Sequence, residues 1–79
     1  MRRAAVSIPS NIAEGQQRKS QKDFRYFLTI ARGSNAELET QLQICLRLDY
    51  LCEEENKPAL DLCYEIAKML SSLIKKLDC

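Results

Sequence analysis

Between Ser20 and Leu51 the chain carries apolar residues at Phe24, Phe27, Leu28, Ala31, Leu38, Leu42, Cys45 and Leu48, at steps of three, four and seven and with no proline among them. That spacing lines up side chains on one face of an α-helix, whereas a strand would alternate its faces every second residue. Ser20, with Asp23 three residues on, offers a hydroxyl and a carboxylate to the backbone N–H groups that a helix start leaves unpaired. The pattern predicts a helix over 21–51, about 45 Å long at about 1.5 Å per residue. Such a helix cannot bury its stripe on itself, so the flanking segments or other copies of the chain must lie along it.

Both flanks read as helices. Over 2–14, Ala4, Ala5, Ile8, Ile12 and Ala13 share a face, small enough for close approach to a neighbour. Pro9 either kinks this helix or restarts it, because it lacks the N–H that would bond to Ala5. Gly15 suits a C-terminal cap, and Gln16 to Lys19 a short connection. Over 57–77, Ala59, Leu62, Cys63, Ile66, Met69, Leu70, Leu73, Ile74 and Leu77 form an amphipathic stripe, with Asn56 as the expected cap and Pro58 in the first turn. The alternative caps at Cys52 and uses Glu53, Glu54 and Glu55 as a dipole-favoured first turn, which leaves Pro58 deeper in the helix. Three helices joined by short connections give an all-α fold, an antiparallel up-down helical bundle forming a single domain over 1–79.

Two features of the central helix point outward. Gly33, mid-helix, costs about 1 kcal/mol relative to alanine, which predicts a place where another backbone comes close. Ile30, Glu37, Ile44 and Leu51 form a second seven-residue series, offset from the core stripe, so the helix is expected to have two contact surfaces. A chain of 79 residues has a small core that oligomerisation often supplements. Ile30, Ile44 and Leu51, with Arg32, Glu37 and Glu39 as inter-helix or inter-subunit ion-pairing groups, are the expected oligomer interface.

Formal charge is +1, but its distribution is uneven. Arg2, Arg3, Arg18, Lys19, Lys22, Arg25 and Arg32 outweigh Glu14 and Asp23 up to residue 32, and the remainder is acidic. Arg18, Lys19, Lys22 and Arg25 at the turn into the central helix, with Arg2 and Arg3 at the other end of the first, are the candidate phosphate contacts; their bland reading is a solvated turn. The sequence contains no histidine, no glycine-rich phosphate loop and no nucleophile beside a base. Glu37 and Glu39 point about 200° apart on a helix and cannot share a small site. The expectation is a protein that is not an enzyme, with no catalytic residue, cofactor, metal or small-molecule substrate. Cys45, Cys52, Cys63 and Cys79 lack the close pairs of a zinc site, and Cys45 and Cys63 lie among apolar residues, so they are expected to be reduced thiols. No apolar run approaches the roughly 20 residues of a membrane span and no signal sequence is evident; the expected location is the cytoplasm.

The order Met1-Arg2-Arg3-Ala4-Ala5-Val6-Ser7-Ile8-Pro9-Ser10-Asn11-Ile12-Ala13-Glu14-Gly15, then Ser20, Lys22, Asp23, Phe24, Ala31-Arg32-Gly33-Ser34 and Ala36-Glu37-Leu38-Glu39-Thr40-Gln41-Leu42, closely resembles a bacterial four-helix-bundle family. Its members include proteins encoded in intervening sequences of 23S rRNA genes, often labelled S23 ribosomal protein. The family is similar to the accessory variability protein of diversity-generating retroelements, a basic pentameric bundle that associates with a reverse transcriptase and nucleic acid. The resemblance implies a homo-oligomer, with five subunits as the expected number, acting as an adaptor for RNA or a nucleic-acid enzyme. A purely structural protein-interaction module is the alternative. The family's first helix precedes the part matching Met1-Arg2-Arg3, and a helix starting at Met1 has no cap and two arginines at its positive end; a missing first helix is therefore expected.

Overall fold

A computed structural model describes residues 2–48 and 53–78. Three helices account for almost all of them: α1 (Arg2–Gln16), α2 (Gln21–Arg47) and α3 (Glu53–Asp78). Ser20, in extended conformation, caps α2 by accepting from the N–H groups of Lys22 and Asp23 at 3.1 and 3.3 Å. At the far end Leu48 leaves helical geometry while its N–H still reaches Ile44 O at 3.0 Å. The helix thus stops short of the expected 51, and Leu51 lies outside the described residues.

Helices α1 and α3 each pack on α2, and their backbones stay apart from one another. Both neighbours run antiparallel to α2. For α1 this follows from Ser7 Oγ, which meets Ser34 Oγ at 2.8 Å, and from Gly15, which lies against Phe24 and Phe27 near the start of α2. Asn11 donates to both the carbonyl and the hydroxyl of Ser7, tying this small-residue contact together.

Between α2 and α3 the register is set by two buried amides. Asn35 of α2 donates to Cys63 O of α3 at 2.8 Å, and Asn56 of α3 donates to Leu42 O of α2 at 3.1 Å. Asn35 precedes Leu42 by one heptad, and Asn56 precedes Cys63 by one heptad, so both bonds belong to one antiparallel alignment. A further heptad along it brings Leu28 opposite Leu70, and both belong to the buried core with Ile8, Ala31 and Ile74. Asn35 and Asn56 are each only 1% exposed, as deep as Leu28.

This alignment decides between the two starts the sequence left open for α3, in favour of the one with the three glutamates in the first turn. Asn56 is a buried cross-helix donor and no cap, and the helix begins at Glu53 instead of 57. The three glutamates of the first turn favour the helix dipole. Pro58 lies inside the helix and cannot bond to the carbonyl of Glu54, but Glu54 is exposed and water can satisfy it. Pro9 is likewise inside an uninterrupted α1.

Within the chain the two glycines differ from the roles expected of them. Gly15 is buried within α1, and a Cβ there would lie 2.9 Å from Phe24 Cδ1 and 3.0 Å from Phe27 Cβ. It is the close-approach glycine, and the chain leaves α1 only afterwards, through bonds from Gln17 N to Glu14 O and Arg18 N to Gly15 O. Gly33 faces open space, with nothing within 4 Å of a Cβ, so no backbone of its own chain covers it.

These contrasts generate two predictions, both read as unfolding free energies in urea. Gly33→Ala should stabilise the chain by about 1 kcal/mol, while Gly15→Ala should destabilise it because Phe24 and Phe27 must move. Asn35→Ala should cost about 1–3 kcal/mol by removing the bond to Cys63 O and leaving a cavity.

Candidate nucleic-acid and interaction faces

The basic residues divide into three places. Arg2 and Arg3 are exposed at the start of α1, and because α1 is 15 residues long they lie about 20 Å from the α1–α2 turn. The structure therefore does not unite them with Arg18 and Lys19. At the turn, Arg18 is already engaged: its guanidinium pairs with Glu14 and stands over the Phe27 ring, 5.2 Å from the centroid. This pair is exposed and neutralises part of the turn's positive charge. Lys19 is exposed beside it.

The third group was not apparent as a group in the sequence. Lys22, Arg25 and Arg32 line one open cleft with Tyr26 and Thr29 of α2 and Ile74 of α3. Steps of three and seven bring the cations to the same side of the helix. Tyr26 is 62% exposed, and its ring meets Phe27 edge-on at 5.4 Å between centroids. The arrangement is a short cationic face with one anchored aromatic, suited to phosphate oxygens and a stacked base.

Arg32 thereby separates from the other residues expected at an oligomer interface. It points about 200° away from Ile30 and belongs to the cationic cleft. Ile30 is half-buried, Glu37 exposed and bonded by Gln41 Nε2 at 3.4 Å, and Ile44 50% exposed. These three share a face with Tyr26, Gly33 and Leu48, of which Leu48 is 57% exposed. Glu39 is half-buried near Cys63, off this face. One outward strip of α2 thus combines open apolar side chains with a glycine that nothing covers.

Cys63 is buried and Cys45 half-buried, both as free thiols; Cys52 and Cys79 lie outside the described residues. Burial, reinforced by the negative charge of Glu39, pushes the Cys63 thiol above its ordinary range. Among the described residues no cluster of metal-ligating side chains occurs, and no helix is long and apolar enough to cross a membrane.

A three-helix unit with a long central helix and a cationic strip is the setting for comparison with known proteins. The family model for the 23S rRNA-intervening sequence protein matches residues 1–72. The chain belongs to that family. No curated protein matches it. In this intervening-sequence family member the matched span includes Ser7, Ser34, Asn35 and Asn56, the residues that align the three helices, as well as every α2 residue of the cationic cleft.

The thiol gives a pH prediction. The folded chain holds the Cys63 proton to higher pH than the unfolded chain does, so this contribution to stability is intact at neutral pH and is lost as pH rises beyond roughly 8.5, where an ordinary thiol ionises. Urea midpoints measured from pH 7 upward should fall more steeply for the native sequence than for Cys63→Ala. At pH 7 a thiol reagent should modify Cys63 only as fast as the chain unfolds.

Proposed function

We propose that the chain is a non-enzymatic helical adaptor that contacts RNA through the cationic cleft of α2 and self-associates through the outward strip of the same helix. The observation that carries the RNA reading is the gathering of Lys22, Arg25 and Arg32 around Tyr26. Membership of a family named for 23S rRNA intervening sequences supports it. Three cations are few, and a net charge of +1 gives little long-range attraction. The contact proposed is therefore local and moderate in strength, with the phosphate backbone supplying most of the affinity.

Self-association is supported by Ile44 and Leu48, both at least half exposed, and by the open space over Gly33, where a neighbouring backbone fits. A heterologous contact of this kind closes into a ring or grows into a filament, and a ring satisfies every subunit. A homo-oligomer, with five subunits as the proposed number, is the form we favour, in the cytoplasm. The second reading, a protein-interaction module without an RNA role, is favoured by the near-neutral charge and the Arg18–Glu14 pair.

Titration with single- and double-stranded RNA and DNA at two salt concentrations separates the readings. The RNA reading predicts binding that weakens with salt, and the pair Lys22→Glu and Arg32→Glu should weaken it at least tenfold and lower the salt slope by about 0.7 per lost contact on a single strand. Absence of binding to all four at low salt would leave the protein-interaction module. Separately, Ile44→Glu should dissociate the ring without changing the helical circular dichroism; an intact assembly would move the ring contact off this strip.

A further inference from the structure

Tyr26 is the aromatic of the cationic cleft, and it is not part of the core. Its side chain is 62% exposed, whereas Ile74, the residue that α3 contributes to the same cleft, is 8% exposed and packs with Leu28 and Leu70. The Tyr26 ring is nevertheless held in place. It meets Phe27 at an interplanar angle of 76°, and half-buried Phe27 in turn carries the Arg18 guanidinium over its own ring. Edge-to-face contact is a favoured geometry for aromatic pairs, and here it orients the Tyr26 ring without covering it. Lys22 lies one turn before Tyr26, Arg25 beside it, and Thr29 and Arg32 on the turns that follow, all lining the one cleft.

The strength of each interaction decides which form of RNA such a cleft takes. A duplex carries the denser charge, and each phosphate neutralised on it contributes about 0.9 to the salt slope against about 0.7 on a single strand. Lys22, Arg25 and Arg32 acting alone would therefore favour a duplex. An aromatic ring reverses that order. A base stacked on an aromatic side chain strengthens binding by about fivefold or more, and only an unpaired base can reach the ring. In a paired A-form stem the bases stack on one another, and the deep, narrow major groove keeps side chains out. Size agrees with this, since the cleft encloses about 380 Å³, which is of small-molecule scale and suits one base, not a stem.

We propose that the cleft selects an unpaired RNA strand, one base of which stacks on the Tyr26 ring while Lys22, Arg25 and Arg32 hold the neighbouring phosphates. The proposal rests on the RNA reading and deepens it, because it names the form of RNA recognised: a loop, a bulge or a free end in preference to a stem. Recognition by stacking needs the ring and not the hydroxyl, so phenylalanine can replace Tyr26 and alanine cannot.

The test is equilibrium titration of the full chain with a labelled single-stranded RNA of about 12 nucleotides, within the range of lengths held by stacking proteins, and with the same strand annealed to its complement. Both are measured at two salt concentrations, with circular dichroism as the folding control. The single strand should bind at least fivefold more tightly than the duplex. Tyr26→Ala should abolish that preference and leave the salt slope on the single strand unchanged, and Tyr26→Phe should retain the preference. The ring protons of Tyr26 should also shift upfield in NMR spectra when the single strand is added, as they do beneath a stacked base. A duplex bound as tightly as the single strand would overturn the proposal, as would a single-strand affinity indifferent to Tyr26→Ala. In both cases binding that Arg32→Glu still weakens would keep the RNA reading itself. Absence of binding to either RNA at low salt would remove that reading and the proposal with it.

Discussion

The reciprocal pair of buried amides, Asn35 to Cys63 O and Asn56 to Leu42 O, is the constraint on which the architecture depends. Apolar packing alone would let two long helices slide by a heptad at modest cost, since leucines and isoleucines exchange neighbours readily. A heptad slide still presents a backbone carbonyl to each amide, but it sets Asn35 against Leu70 or Asn56 in place of the small Cys63 and moves Asn56 away from Leu42. Each buried amide must then find new room beside its acceptor, and one that fails to do so costs about 1–3 kcal/mol. The aligned state is therefore selected less by added stability than by the penalty on its alternatives, as a polar residue in a coiled-coil seam selects register.

The rest follows from that alignment. With α3 fixed, Leu28 lies opposite Leu70, the core closes around Ala31 and Ile74, and α1 adds Ile8 through the close contacts at Ser7 and Gly15. Because α1 and α3 meet α2 and leave each other's backbones apart, the molecule is elongated and thin, with Cα extents of 44 × 21 × 14 Å. A body so thin exposes much of every helix. The groove between α1 and α3, the outward strip of α2 and the cationic cleft are three consequences of one geometry, and each is displayed on a rigid helical surface.

Much of this was legible in the residues. The stripe from Phe24 to Leu42 and the cap at Ser20 are local patterns, and local patterns specify helices well. The start of α3 stayed open between two readings because Asn56, two residues before a proline, has two uses, capping a helix or donating from within one, and only the position of Leu42 O decides between them. Asn35 passed unnoticed although it occupies the core stripe midway between Leu28 and Leu42; its polarity at an apolar position was the available signal. Gly15 reads as a cap, and its close contact is missed, for a related reason. Whether a missing Cβ matters depends on what faces it, and Phe24 is distant from neither glycine in sequence terms that a helical wheel can rank. The cationic cleft joins residues that the sequence divides, because Arg32 is grouped there with Glu37 and Glu39 as an ion-pairing residue and not by its place on the side bearing Lys22 and Arg25.

Exchange of side-chain amide protons, followed by NMR with assignment of the three asparagines Asn11, Asn35 and Asn56, tests the alignment most directly. Asn35 and Asn56 are buried and bonded to backbone across the helix interface, whereas Asn11 is half-buried and bonded within α1. The account predicts that the amides of Asn35 and Asn56 exchange together and more slowly than that of Asn11, with nuclear Overhauser contacts from Asn35 to Cys63 and from Asn56 to Leu42. Rapid exchange of Asn35 and Asn56 at the rate of an exposed amide, or contacts displaced by a heptad along α3, would contradict it.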